Sequence, residues 1–142
     1  MRKSKSFIIP LLIFSLLGAG CSLFKKLQKS TFSLNGGWEM VTTSDNNALL
    51  GSRINVSPES GDAVLTNVKN NTYCVRPTDI IWKDIVSVSA GFTVNNLCSS
   101  CVSSLEYRPA VIGVLTKDSI RVAGVTRAGA ALVQTWRRVA NQ

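Results

Sequence analysis

Cysteine is the residue type in this chain that could take part in the most kinds of chemistry, because a thiol can form disulfides, bind metal or act as a nucleophile. The chain has four: Cys21, Cys74, Cys98 and Cys101. Cys98 and Cys101 have the C-x-x-C spacing of a redox-active pair, which needs a helix start whose dipole lowers one thiol pKa. The flanking residues indicate strand and loop instead, so thiol-redox activity is the minor hypothesis and a structural role the major one.

Three thiols, Cys74, Cys98 and Cys101, are the candidate disulfide cysteines once Cys21 is assigned to the leader described below. A bridge from Cys74 to Cys98 or Cys101 closes roughly 25 residues and restricts the unfolded chain more than a Cys98–Cys101 ring does. That shorter ring, no bridge at all and a metal site remain alternatives. A metal site is the weakest alternative. Zinc normally needs four ligands, or three and a water, and the chain has no histidine to add to the three thiols.

The chain has no histidine, which excludes Ser-His-Asp, Cys-His and HExxH chemistry. A paired-carboxylate hydrolase stays formally open, although the eight acidic residues mostly flank strands or turns. We therefore predict a protein that is not an enzyme, with no catalytic residue, no metal and no cofactor.

The first 21 residues have three parts: a basic tip, an apolar run from Phe7 to Leu17, and Gly18-Ala19-Gly20 before Cys21. This arrangement resembles the lipobox of bacterial lipoproteins, in which small residues precede an invariant cysteine. The resemblance implies a cleaved helical signal peptide over 1–20 and acyl chains such as palmitate on Cys21. An uncleaved anchor is disfavoured, because the apolar run has roughly a dozen residues where a bilayer needs ~20. Plain secretion with a free Cys21 thiol is the other alternative.

Residues 21–30 form a basic tether that precedes a domain over 31–142. Removal of the leader takes away three basic residues and lowers the net charge from +8 to +5. The tether holds three lysines, so the domain itself carries a net charge of +2. A nucleic-acid footprint needs a basic face on the domain itself, so we predict no nucleic-acid partner. The tether fits either contact with anionic lipid headgroups or a soluble spacer. Ser22 is not the aspartate that retains such lipoproteins at the inner membrane, so we expect the outer membrane, facing the periplasm.

From Gly36 onward, apolar and polar residues alternate in short runs, as in Trp38-Glu39-Met40. Turn formers such as Asn95-Asn96 separate these runs. Eight or nine strand candidates follow one another, and Ser103–Arg108 and Val111–Thr116 count as two of them. The pattern predicts an all-β fold, a small up-and-down antiparallel barrel of about eight strands, because closure removes exposed edges. Such a barrel is either filled by side chains or holds one small ligand.

Gly36-Gly37-Trp38 resembles the G-x-W signature of the first strand of lipocalins, and Trp136-Arg137-Arg138 resembles their closing strand. The resemblance implies a lipocalin-like barrel in which Trp38 plugs one end and an arginine, Arg137 or Arg138, stacks on it. We take Trp38 and Arg137 as the barrel-closing pair. Trp82 and Trp136 fit wall packing better than ligand contact.

Two functions follow from these expectations. The first is a lipid-anchored envelope lipoprotein whose barrel mouth binds a small apolar or amphipathic ligand, and small residues such as Ala110, Gly124 and Ala131 would suit an open interior. The alternative is a structural or interaction lipoprotein with a filled barrel and an envelope protein as its partner.

Overall fold

The structure, a computed structural model, describes residues 32–57 and 60–140. The predicted signal peptide, the tether and Cys21 lie outside the described residues. The described strands are β1 (Gly36–Thr43), β2 (Arg53–Val56), β3 (Ala63–Asn67), β4 (Ile80–Val88), β5 (Gly91–Leu97), β6 (Tyr107–Thr116), β7 (Ser119–Val125) and β8 (Ala131–Val139).

The eight strands form one closed antiparallel barrel in sequence order. Each strand pairs with the next, and β8 returns to β1 with Gly37 opposite Val139 and Met40 opposite Trp136. The predicted all-β, up-and-down barrel of about eight strands is thus confirmed. Among the described residues no helix has the length and apolar character of a bilayer-spanning segment.

One strand prediction and one turn prediction were wrong, at β6 and β5 respectively. Residues 103–106 are loop, and the strand runs through Pro109 as a single element. Proline is tolerated there because the β6–β7 ladder begins only at Val111, so β6 pairs at Pro109 with β5 alone. Asn95-Asn96 lies inside β5 and not in a turn, because both neighbouring strands pair with it.

The barrel has two unlike ends. One end, which we call the turn end, carries residues 32–35, the end of β2, the start of β3 and the short turns 89–90 and 117–118. The other, the loop end, carries the longer loops 44–52, 68–79, 98–106 and 126–130. This division follows from antiparallel order, since every second connection must fall at the same end.

Alternation along each strand sends one set of side chains into the barrel. Large side chains of this set are almost entirely removed from solvent, and they include Trp38, Met40, Ile54, Leu65, Trp82, Ile112, Ile120 and Trp136. Trp82 and Trp136 meet edge to face, with ring centroids 5.2 Å apart, a favoured aromatic arrangement. The interior of this barrel is therefore a packed core.

Candidate functional site

Trp38 lies at the turn end, where the chain enters the barrel. Its indole Nε1 donates to the carbonyl oxygen of Leu34 at 2.7 Å, which fixes the segment before β1 against the ring. Phe32 packs against the same ring, with centroids 6.2 Å apart. Gly36 lies between Leu34 and Trp38 and has a φ of 103°, a conformation that favours glycine. The glycine of the G-x-W signature is thus explained by backbone geometry.

The arginine that stacks on Trp38 is Arg138, with its guanidinium carbon 4.3 Å from the ring centroid. Its Nη1 donates to the Asn35 carbonyl at 2.6 Å and its Nη2 to the Ser33 carbonyl at 2.7 Å. One cation therefore holds both the tryptophan and the segment that crosses the turn end.

The assignment of Arg137 to the closing pair is corrected by this geometry. Arg137 lies opposite Glu39 in the β1–β8 register, and its Nη2 lies 3.5 Å from Glu39 Oε1. Arg138 lies opposite Trp38, on the same face of the sheet. Because successive residues of a strand point to opposite faces, only one of the two arginines can reach Trp38.

The loop end is held together by a disulfide between Cys74 and Cys101, whose Cα atoms are 4.9 Å apart. This confirms the predicted bridge from Cys74 and joins loop 68–79 to loop 98–106. Cys98 is free and buried, and burial raises the pKa of its thiol. Cys98 and Cys101 are thus unpaired with each other, in a loop between strands, without the helix start that redox activity needs.

Polar contacts connect the other loops to this bridge. Arg127 Nε lies 3.2 Å from Glu106 Oε1, joining loop 126–130 to loop 98–106. The Tyr73 hydroxyl donates to Asp45 Oδ2, joining loop 68–79 to loop 44–52. Burial, followed by the hydrogen bond and the charge of Asp45, raises the Tyr73 pKa. All four loops are therefore cross-linked into one cap.

The cap presents two aliphatic side chains to solvent. Val102 is 92% exposed and Leu105 is 43% exposed. Both lie in loop 98–106, close to Cys101 and Glu106, which bind neighbouring loops. An exposed valine on a braced loop loses little conformational freedom when a partner binds it. No strand periodicity could reveal this surface, because it depends on which loops share an end.

The turn end has a cleft of about 500 Å³ beside the residues that lock Trp38. Its apolar lining comes from Phe32, Leu34, Val56, Ile85 and Phe92, and its polar lining from hydroxyl and amide side chains. This volume lies within the usual range of small-molecule sites. The cleft is open to solvent and lies at the mouth of the barrel, above the filled interior.

The small residues expected to open the interior do not share one location. Ala131 is exposed, whereas Ala110 is buried. A Cβ built on Gly124 would lie 2.9 Å from the Ala110 Cβ. Small side chains at 110 and 124 therefore let β6 and β7 approach closely, and they leave no extra room between them.

Several acidic side chains among the described residues take part in ion pairs and hydrogen bonds. Glu39 accepts from Arg53 Nε at 2.8 Å, and Asp84 accepts from Asn95 Nδ2 at 2.8 Å. Within 32–57 and 60–140, no group of three or more His, Cys, Asp or Glu side chains could hold a metal ion.

No protein-family model, no curated protein and no solved structure matches this chain. The lipoprotein and lipocalin resemblances therefore stay predictions that depend on the residues quoted for them.

Proposed function

We propose that this protein is a lipid-anchored lipoprotein of the bacterial cell envelope whose barrel is a rigid scaffold for binding another envelope protein. Acyl chains on Cys21 would hold it to the membrane, in the outer membrane facing the periplasm. The observation that carries the scaffold function is the filled interior, in which Trp38, Trp82 and Trp136 are fully buried.

The direction of the barrel supports this function. The chain enters at Phe32, at the turn end, and a lipid on Cys21 would be only a short tether away. The loop end, which carries Val102 and Leu105, lies opposite the turn end and would point away from the membrane. A braced surface directed into the periplasm suits contact with a protein partner.

Site-specific photocrosslinking tests the scaffold function. A photoreactive amino acid replaces Val102 in one variant and Val86 in a matched control, since Val86 is 55% exposed on β4 near the turn end. We expect one adduct of defined mass from position 102 in intact bacteria, and loss of that adduct when Leu105→Asp is added. Absence of an adduct at 102, or the same adducts at both positions, would contradict the proposal.

The turn-end cleft favours a second function, which is binding of a small apolar or amphipathic molecule at the barrel mouth. The lining by Phe32, Ile85 and Phe92 supplies apolar contact, and the volume of about 500 Å³ suits one such molecule. Native mass spectrometry of the purified protein tests this function. A bound molecule that is lost in Ile85→Glu would support it, and a ligand-free mass for both proteins would oppose it.

A further inference from the structure

Two buried polar side chains on neighbouring strands lack a hydrogen-bond partner among the described residues. They are Trp82 on β4, through its Nε1, and Asn96 on β5, through both Nδ2 and Oδ1. Asn96 is only 2% exposed and Trp82 is fully buried. The two residues lie directly opposite each other in the β4–β5 register, so their side chains are neighbours on the same face of the sheet.

The other two tryptophans show that this is not a general property of the barrel. Trp38 Nε1 donates to Leu34 O at 2.7 Å, and Trp136 Nε1 donates to Gln134 Oε1 at 3.3 Å. Trp82 packs edge to face on Trp136, yet its own N–H has no acceptor in the described protein. The three indoles have similar burial and differ in this one respect.

A buried donor or acceptor without a partner is costly, and native proteins usually satisfy such groups with ordered water. The region offers indole and amide N–H donors and one amide oxygen acceptor, all of them uncharged. Water matches this set, since it can accept from Trp82 Nε1–H and Asn96 Nδ2–H and donate to Asn96 Oδ1. A bound water with two to four polar partners is a common structural element of folded proteins.

We infer that Trp82 and Asn96 form a binding site for one ordered water inside the barrel, bridging β4 and β5. Trp82 contacts Trp136 edge to face and belongs to the buried apolar core. Cores packed in this way hold few voids larger than one water molecule. The site lies within the wall and core, and it is distinct from the turn-end cleft. The inference does not depend on the lipid anchor or on a protein partner.

NMR of the full-length protein in detergent micelles, labelled with ¹⁵N only at tryptophan, tests this site. The Trp82 indole N–H signal is assigned by its loss in Trp82→Phe, and the two signals that remain belong to Trp38 and Trp136. We expect a rotating-frame Overhauser cross-peak to water from the Trp82 indole proton, and none from Trp38 or Trp136. Asn96→Leu should remove that cross-peak. Asn95→Leu, at a neighbouring residue that bonds Asp84, should retain it.

The Trp38 and Trp136 signals report whether each variant is folded, and a high-resolution crystal structure of the unmutated protein gives a second measurement. Density for one water within 3.5 Å of Trp82 Nε1 and Asn96 Oδ1 would support the inference. It would be overturned if the Trp82 proton shows no water contact, or if its N–H bonds directly to a protein atom. A molecule larger than water at this site would also overturn it.

Discussion

Arg138 and Trp38 lie opposite each other in the β1–β8 pairing, with the guanidinium carbon 4.3 Å from the ring centroid. The same guanidinium donates to the Ser33 and Asn35 carbonyls. A cation, an aromatic ring and two backbone carbonyls are therefore joined at the point where the chain enters the barrel. This arrangement closes the turn end.

Arg138→Ala is expected to lower the free energy of unfolding by about 2–3 kcal/mol, through loss of the cation–π contact and two charge-assisted hydrogen bonds. Arg137→Ala is the matched control. It removes a solvent-exposed ion pair with Glu39 and should change stability by less than about 1 kcal/mol. Urea unfolding followed by tryptophan fluorescence measures both. Equal losses in the two variants would show that Arg138 does not close the barrel.

The sequence could distinguish Arg138 from Arg137, but only by counting the two-residue period along β8. Trp136 is buried inside the barrel, so period two places position 138 on the same face and position 137 outside. Once the strand was recognised, the inward tryptophan was sufficient to select Arg138. Similar counting places Asn96 inside, on the face of Val94, although an Asn-Asn pair is typical of a turn.

The disulfide was predictable only in part. A bridge from Cys74 follows from loop closure, but Cys98 and Cys101 are three residues apart and both suit that argument. The barrel makes the difference, because Cys98 follows directly after β5 and is buried, whereas Cys101 lies further out in the loop and reaches Cys74. Which of the two cysteines is buried depends on where β5 ends, and the local sequence does not determine that position.

Cys101→Ser is expected to lower the free energy of unfolding by about 3–4 kcal/mol, because it releases the loop that the bridge closes. Cys98→Ala removes a buried thiol without opening the bridge and should cost only about 1 kcal/mol. Thermal or urea unfolding of both variants checks the difference. In the native unmutated protein, peptide mapping should find Cys74 joined to Cys101, and Cys98 should react with iodoacetamide only after denaturation. A Cys98-containing bridge in the native protein would be the contrary result.

The raised pKa of the Tyr73 hydroxyl leads us to expect a loss of stability at alkaline pH. Burial and Asp45 raise its pKa in the folded state, whereas an unfolded tyrosine ionises near pH ~10. Above that pH the unfolded chain releases a proton that the folded chain retains, so the free energy of unfolding falls as pH rises. Between about pH 9.5 and 11, Tyr73→Phe should show a shallower decline than the unmutated protein. Urea titrations across that range measure the slopes, and parallel slopes would refute the assignment.

The close approach of β6 and β7 predicts opposite outcomes for two glycines. Gly124→Ala places a Cβ 2.9 Å from the Ala110 Cβ and should cost about 1–3 kcal/mol by overpacking. Gly113→Ala, on β6, meets no heavy atom within 4 Å and should be neutral or slightly stabilising. Adding Ala110→Gly to Gly124→Ala should recover part of the loss, which a double-mutant cycle of unfolding free energies would detect. Strict additivity of the two changes would contradict the packed interior at this position.

Attachment through Cys21 is the claim on which the proposed location and orientation depend. Metabolic labelling with radiolabelled palmitate, comparing the unmutated protein with Cys21→Ser in bacteria, tests it most directly. We predict label in the unmutated protein and none in the variant, which should also leave the membrane fraction after alkaline washing. An unlabelled unmutated protein, or a Cys21→Ser variant that stays in the washed membranes, would contradict the lipid-anchored barrel.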